Sequence, residues 1–92
     1  MKMFVLVRND LSKSQQGVQG GHALAQFALE HPDRFREWNN HTIVYLKVDY
    51  EWLQQHNPEN ESSAFYEPDI GNQLTAKATF CSGEDYQNLK LM

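Results

Sequence analysis

Met3-Phe4-Val5-Leu6-Val7, running straight into Arg8-Asn9-Asp10-Leu11 and then Ser12-Lys13-Ser14-Gln15, is the stretch on which the fold turns. Five apolar residues in a row, without polar alternation, describe a strand buried on both faces, the pattern of a central strand in an α/β sheet. Asn9-Asp10 supplies turn chemistry behind it. Ser12 and Gln15 then stand at capping-box spacing, with Ser12 accepting from the first helical amides and Gln15 reaching back; Ser14 is a rival N-cap.

From Gln15 to about Glu30 the period is helical. At about 100° per residue, Val18, His22, Ala25 and Leu29 share one stripe, with Gly21 and Ala28 at its margin. Gln16, Gln19 and Gln26 fall to the polar side, so the Val18 stripe is the expected core face. Gly20-Gly21 inside a helix costs about 1 kcal/mol per glycine relative to alanine, and close approach of another backbone or of a ligand is the usual compensation. His31-Pro32 ends this helix, because a proline disfavours the α conformation before it and cannot continue the ladder. Pro32 then opens a short helical piece through Phe35 and Trp38, which Asn39-Asn40 stops.

Thr42 to Val48 is the strongest strand signal in the chain, β-branched and aromatic. Asp49 caps a short helix holding Trp52 and Leu53, which stops before Asn57-Pro58. Ala64-Phe65-Tyr66 reads as a brief strand halted by Pro68. Asp69-Ile70-Gly71-Asn72 is a turn, Leu74 to Phe80 a last strand, and the remainder to Met92 a tail or short helix. No repeat or low-complexity segment interrupts the series. The order β-α-β-α-β-β implies helices packed against a small mixed sheet.

Ninety-two residues leave room for one domain, at roughly 100–200 residues each. With 40% apolar content the chain has the means to build a core. A chain this short still buries only about 60–65% of its unfolded surface and leans on partners. No apolar run approaches the roughly 20 residues of a membrane helix, and Met3–Val7 is too short for a signal peptide, so the cytoplasm is the expected compartment. One cysteine, Cys81, excludes an internal disulfide framework and a cysteine-based zinc site. The net charge of −4 argues against indiscriminate adhesion to nucleic acid or acidic membrane. Charge is segregated, however: Arg8 and Lys13 flank one turn, while Glu59, Glu61, Glu67 and Asp69 gather further on.

No phosphate-cradling G-x-x-x-x-G-K, no G-x-S-x-G and no H-E-x-x-H occurs. His22, His31, His41 and His56 do not fall at metal-ligand spacing, and no metal or other cofactor is expected. A constellation remains. Arg8-Asn9-Asp10-Leu11 sits at a strand end, Gln19-Gly20-Gly21-His22-Ala23 in the helix that follows, and Asp69-Ile70-Gly71 in a late turn. Ligands of open α/β sheets collect outside the carboxyl ends of strands, where Arg8 and Asp10 stand. The helix start near Ser14 offers free amides to a phosphate or a developing oxyanion.

R-N-D-L after an apolar strand, then Q-x-x-H-A, then a late D-x-G resembles the second type of peptidyl-tRNA hydrolase, best known from archaea and eukaryotes. The resemblance runs from about Phe4 to Phe80. It implies a four-stranded mixed sheet with helices on both faces (an α/β/α sandwich), hydrolysis of the ester joining a peptide to the tRNA acceptor end, no metal, and a homodimer. Departures lie on the tRNA-facing rim. Where the family has a lysine four residues ahead of the glutamine, this chain has Gln15, with Lys13 nearby. After D-x-G it has Asn72-Gln73 in place of Arg-Thr, and Thr75 is the nearest hydroxyl.

Taken as a site, the constellation gives each residue a task and an ordinary alternative. His22 activates or orients water, or is a hydrogen-bonded histidine at the edge of a core stripe. Asp69 polarises water or holds His22, or caps its own turn. Asp10 positions water or a cation, or forms an Asx-type turn. Arg8 clamps a phosphate, or pairs with Asp10. Gln19 and Gly71 contact substrate, or serve helix and turn. Lys13 substitutes for the missing lysine, or is a solvated cap residue. The functional reading requires that Arg8, Asp10, His22 and Asp69 converge on one pocket. The other reading is a catalytically silent binding module whose partner is a protein or a second copy of the chain.

Overall fold

The first strand, β1 (Lys2–Arg8), is buried from Met3 to Arg8 in a computed structural model that describes residues 1–92. It lies at the centre of a five-stranded sheet of order β3-β4-β1-β2-β5. Along it, α1 (Lys13–Glu30) and α2 (Pro32–Trp38) lead to β2 (Ile43–Val48), which runs parallel to β1 with Met3 opposite Ile43 and Arg8 opposite Val48. A short helix, α3 (Tyr50–Gln55), precedes β3 (Ser62–Glu67). A 3₁₀ turn, Pro68–Ile70, then reverses the chain into β4 (Gln73–Cys81), antiparallel to both β3 and β1. The sequence expectation of four strands is corrected to five. After a 3₁₀ turn at Glu84–Tyr86, β5 (Lys90–Leu91) pairs with Leu46 and Lys47 of β2, where only a tail or helix was expected. Two residues are too few for an alternating pattern to register.

Alternate residues of β1 divide the core between the two faces of the sheet, as strand geometry requires. Met3, Val5 and Val7 pack with Ala23 and Phe27 of α1, Trp38 of α2 and the small β4 residues Ala76 and Ala78. Phe4 and Leu6 pack with Leu46, Val48, Leu53 of α3, Leu74 and Tyr86. Gly83, at φ +80, lies where any Cβ would strike the Phe4 ring, which fixes the last turn against the second cluster. The local punctuation of the sequence is borne out. Ser12 Oγ accepts from the Gln15 amide at 3.2 Å, His31 closes α1, Pro32 opens α2, and Asn39, at φ 52, ends it. The return half of the capping box is absent, because the Gln15 side chain accepts from Gln19 at 3.4 Å instead.

One expectation is overturned on α1. Its buried face is Gln16, Gln19, Gly20, Ala23 and Phe27. The Val18–His22–Ala25–Leu29 stripe faces outward, with Val18 48% and Leu29 78% exposed. Shape decides the matter. A Cβ on Gly20 would lie 2.5 Å from Tyr45 Cε2 and 3.1 Å from Val5 and Val7 Cγ1, so the helix backbone rests directly on β1 and β2 at this point. That approach seats Phe27, the largest fully buried side chain, which alone is worth about 3–5 kcal/mol against alanine. The two buried glutamines are tolerated because their polar atoms are bonded: Gln16 Nε2 donates to Leu11 O at 2.9 Å, and Gln19 meets Thr75. At Gly21 the corresponding space is open, so Gly20 alone serves helix-on-sheet packing.

Candidate functional site

The end of the sheet where β1 stops and β4 starts carries a cleft of about 300 Å³. One wall comes from the β1–α1 connection and the first turns of α1, through Leu11, Gln15 and Gln19; the other comes from the β3–β4 turn, through Glu67, Asp69, Ile70 and Thr75. The parallel β1–β2 pair forces a long crossover, so α1 begins beside the carboxyl end of β1. The antiparallel register then brings Ala76 opposite Val7, which sets Thr75 at the same level.

Thr75 is fully buried, and its Oγ1 donates to Gln19 Oε1 at 2.7 Å; Gln19 is itself only 3% exposed. Its amide nitrogen donates to Gln15 Oε1 at 3.4 Å, leaving Gln15 Nε2 without a partner. Neither the Glu67 nor the Asp69 side chain takes part in a hydrogen bond or ion pair, and no lysine or arginine lines the cleft. The arrangement is a floor of fixed, neutral hydrogen-bonding groups with two unpaired carboxylates above it.

The residues singled out by sequence are divided by the structure. Gln19 and Asp69 line this cleft together. Arg8 and Asp10 are joined to each other: Nε donates to Oδ1 at 2.9 Å and Nη2 to Oδ2 at 2.7 Å. Arg8 Nη1 donates further to Gln73 Oε1 at 3.0 Å and to Leu74 O at 3.2 Å, and the guanidinium carbon lies 3.9 Å from the centre of the Tyr50 ring. The Arg8 side chain is 8% exposed. The Asp10 hydrogen bonds raise the Arg8 pKa against the opposing effect of burial, and the same contacts lower that of Asp10. Four bonds on five N–H groups leave this cation little capacity for a phosphate.

His22 lies exposed on α1, its ring stacked on Phe65 of β3 at 4.5 Å between centroids, and it is not among the residues lining the cleft. It has no hydrogen bond to Asp69, so the expected convergence of Arg8, Asp10, His22 and Asp69 on one pocket is replaced by three separate placements. The cause is the rotation of α1 described above, which turns the His22 stripe outward and the Gln15–Gln19 edge inward. Lys13, the first residue of α1, is exposed and unpaired, and Gly71, at φ +74, closes the 3₁₀ turn outside the lining.

A second polar cluster escaped the sequence reading. Beneath α3, His56 Nε2 and Tyr86 Oη are 2.7 Å apart, the His56 ring stacks on Trp52 at 4.5 Å, and Lys77 Nζ donates to the His56 carbonyl at 2.7 Å. Burial pushes the Tyr86 hydroxyl far up. Burial and, secondarily, Lys77 push His56 down, and burial lowers Lys77. Both shifts favour the neutral forms, and the direction of the hydrogen bond between them follows the His56 tautomer. The two residues are 30 positions apart in the sequence, and no local pattern signals their pairing. The Cys81 thiol, half-buried, is also pushed up by burial, against the requirements of a nucleophile.

No group of three or more His, Cys, Asp or Glu side chains gathers as metal ligands would, and no helix is long and apolar enough to cross a membrane. Compared with models of known protein families and with curated proteins, the chain matches none.

Proposed function

We propose that the cleft between α1 and the β3–β4 turn hydrolyses the ester that joins a peptidyl or aminoacyl group to the acceptor end of tRNA. The observation that carries this reading is the sharing of one cleft by Asp69, Gln15 and Gln19 above a buried Thr75 hydroxyl. The three motifs R-N-D-L, Q-x-x-H-A and D-x-G support it from the sequence side. The α/β/α layering implied by the same resemblance suits it too, with α1 and α2 residues in one core cluster and α3 residues in the other. A cytoplasmic setting belongs to the same proposal.

The chemistry needs a base, an oxyanion partner and an acid for the leaving oxygen; Asp69 serves as first and last, and Gln15 with the α1 amides as the second. Asp69 takes a proton from water as the water oxygen attacks the ester carbonyl carbon, a role worth about 10²–10⁴ in rate. Charge developing on the carbonyl oxygen meets the unpartnered Gln15 amide and the amides at the start of α1. The tetrahedral intermediate collapses with cleavage of the bond to the ribose oxygen, which receives the proton from Asp69. Free acid and tRNA result. His22 has no part in these transfers.

Purified chain incubated with peptidyl-tRNA and with aminoacyl-tRNA tests the reading. Release is expected to fall about 100-fold or more in Asp69→Asn and to survive in His22→Ala. Release by the natural chain no faster than by Asp69→Asn removes the enzyme.

A second reading, self-association, is favoured by one observation: the outward Val18–Ala25–Leu29 stripe of α1. Sedimentation at several concentrations, with Leu29→Lys as the comparison, decides it. A monomer at all concentrations ends this reading.

A further inference from the structure

Arg8 is the strongest cation signal of the sequence, yet its guanidinium is committed inside the protein. On one side it grips both carboxylate oxygens of Asp10, and the next residue, Leu11, lines the cleft. On the other it grips the Gln73 side chain and the Leu74 carbonyl, and the next residue, Thr75, forms the cleft floor. Gln73 and Leu74 lie 65 and 66 positions from Arg8 in the sequence, and the Thr75–Gln19 hydrogen bond is a second tie between the same two walls. Tyr50 closes the remaining face of the guanidinium plane.

We propose that Arg8 is a positioning residue: it sets the distance between the two walls of the cleft and does not bind the phosphates of the substrate. The inference rests on the acyl-tRNA reading for its effect on rate, while the clasp itself stands on the geometry. A fork of five coplanar donors suits this task, because two acceptors on each side fix direction as well as separation. Lysine retains the charge and cannot reproduce the fork. A wall displaced by about 1 Å moves Thr75, Gln19 and Asp69 out of mutual register, and misplacement of that size costs on the order of 100-fold in rate.

The test compares the natural chain with Arg8→Lys, Asp10→Asn and Gln73→Leu. Expected for Arg8→Lys is a kcat lower by about 10- to 100-fold, with KM within about twofold of the natural value. The slope of log affinity for tRNA against log salt is expected to stay unchanged. Gln73→Leu, which alters no charge, is expected to lower kcat in the same direction. A phosphate clamp gives the opposite set: KM rises, kcat holds, and the salt slope falls by about 0.7–0.9 for the lost contact. That set overturns the proposal. Amide exchange at Leu74 and Thr75 provides a measure independent of turnover. Faster exchange there in Arg8→Lys or Gln73→Leu supports the clasp, even if the natural chain hydrolyses no acyl-tRNA and the proposed reaction falls. Unchanged exchange in both overturns the clasp. If Arg8→Lys does not fold, Asp10→Asn and Gln73→Leu carry the same comparison.

Discussion

Replacing Thr75 by valine removes one hydroxyl and almost no volume, so the change isolates a single hydrogen bond. Thr75 is fully buried and gives its proton to Gln19 Oε1 at 2.7 Å. Valine fills the same space, and the transfer of a methyl for a hydroxyl costs nothing in packing. What remains is Gln19 Oε1, in a residue 3% exposed, with no donor to replace the one it lost. An acceptor stranded in this way costs about 1–3 kcal/mol. For a domain of this size that is a fall in Tm of roughly 4–8 °C per kcal/mol. Gln19→Leu strands the Thr75 hydroxyl in turn, with only the Phe65 carbonyl at 3.4 Å as an alternative acceptor. The double variant removes both partners, and apolar replacement of both ends is close to neutral. Urea unfolding of the four proteins therefore yields a coupling of about 1–2 kcal/mol, with the double variant more stable than the sum of the singles. On the proposed function, the hydrolysis rate is expected to fall in all three variants, because the cleft floor loses its polar groups even where stability returns. Strict additivity of the two stability changes, or full activity in the refolded double variant, refutes the role given to this pair.

Neighbouring glycines on α1 are expected to respond with opposite signs. Gly20→Ala places a methyl 2.5 Å from Tyr45 and costs about 1–3 kcal/mol in urea unfolding, whereas Gly21→Ala meets open space and gains up to about 1 kcal/mol. Acid sensitivity is expected from His56, whose pKa in the fold is held by burial below its ordinary 6.5. The unfolded chain then binds the extra proton, so stability is full above about pH 6.5 and is lost as pH falls from there toward the folded value. Unfolding free energies at pH 7.5 and 5.5 are expected to differ more for the natural chain than for His56→Gln; equal differences exclude this assignment. Glu67→Gln removes one of two unpaired carboxylates from the cleft and is expected to raise tRNA affinity at low salt, measured by filter binding; unchanged or weaker binding contradicts a substrate entering beside Glu67.

The elements were legible wherever the cause is local. Met3–Val7 has five apolar residues because both faces of β1 are covered, and Pro32, Asn39 and Pro68 end or begin elements by their own backbone restrictions. The rotation of α1 was not legible. Periodicity, with Gln16, Gln19 and Gln26 on the other side, points to the Val18–Ala25–Leu29 set, whereas the helix buries Ala23 and Phe27. The choice falls to Gly20 because Tyr45, Val5 and Val7 stand opposite it, which is a fact about the sheet. Site residues followed the same division. Gln19 and Asp69 were found by motif and share the cleft; Thr75 had been noted only as the nearest hydroxyl, and Glu67 only as part of a charge run.

Arg8 shows why charge is a poor guide to binding without its partners. A strand-end arginine beside an aspartate is compatible with a phosphate clamp or an internal clasp, and the two residues are identical in either case. The acceptors that decide between them, Gln73 and the Leu74 carbonyl, arrive only when β4 pairs with β1. Desolvating a guanidinium costs several kcal/mol unless its donors are met, so a chain that buries Arg8 must spend those acceptors on it. Once they are spent, the cleft beside it is left with Glu67 and Asp69 and no cation. The same bonds that give the cleft two fixed walls therefore also set its charge, and a ligand held there must be recognised through amides, a hydroxyl and carboxylates.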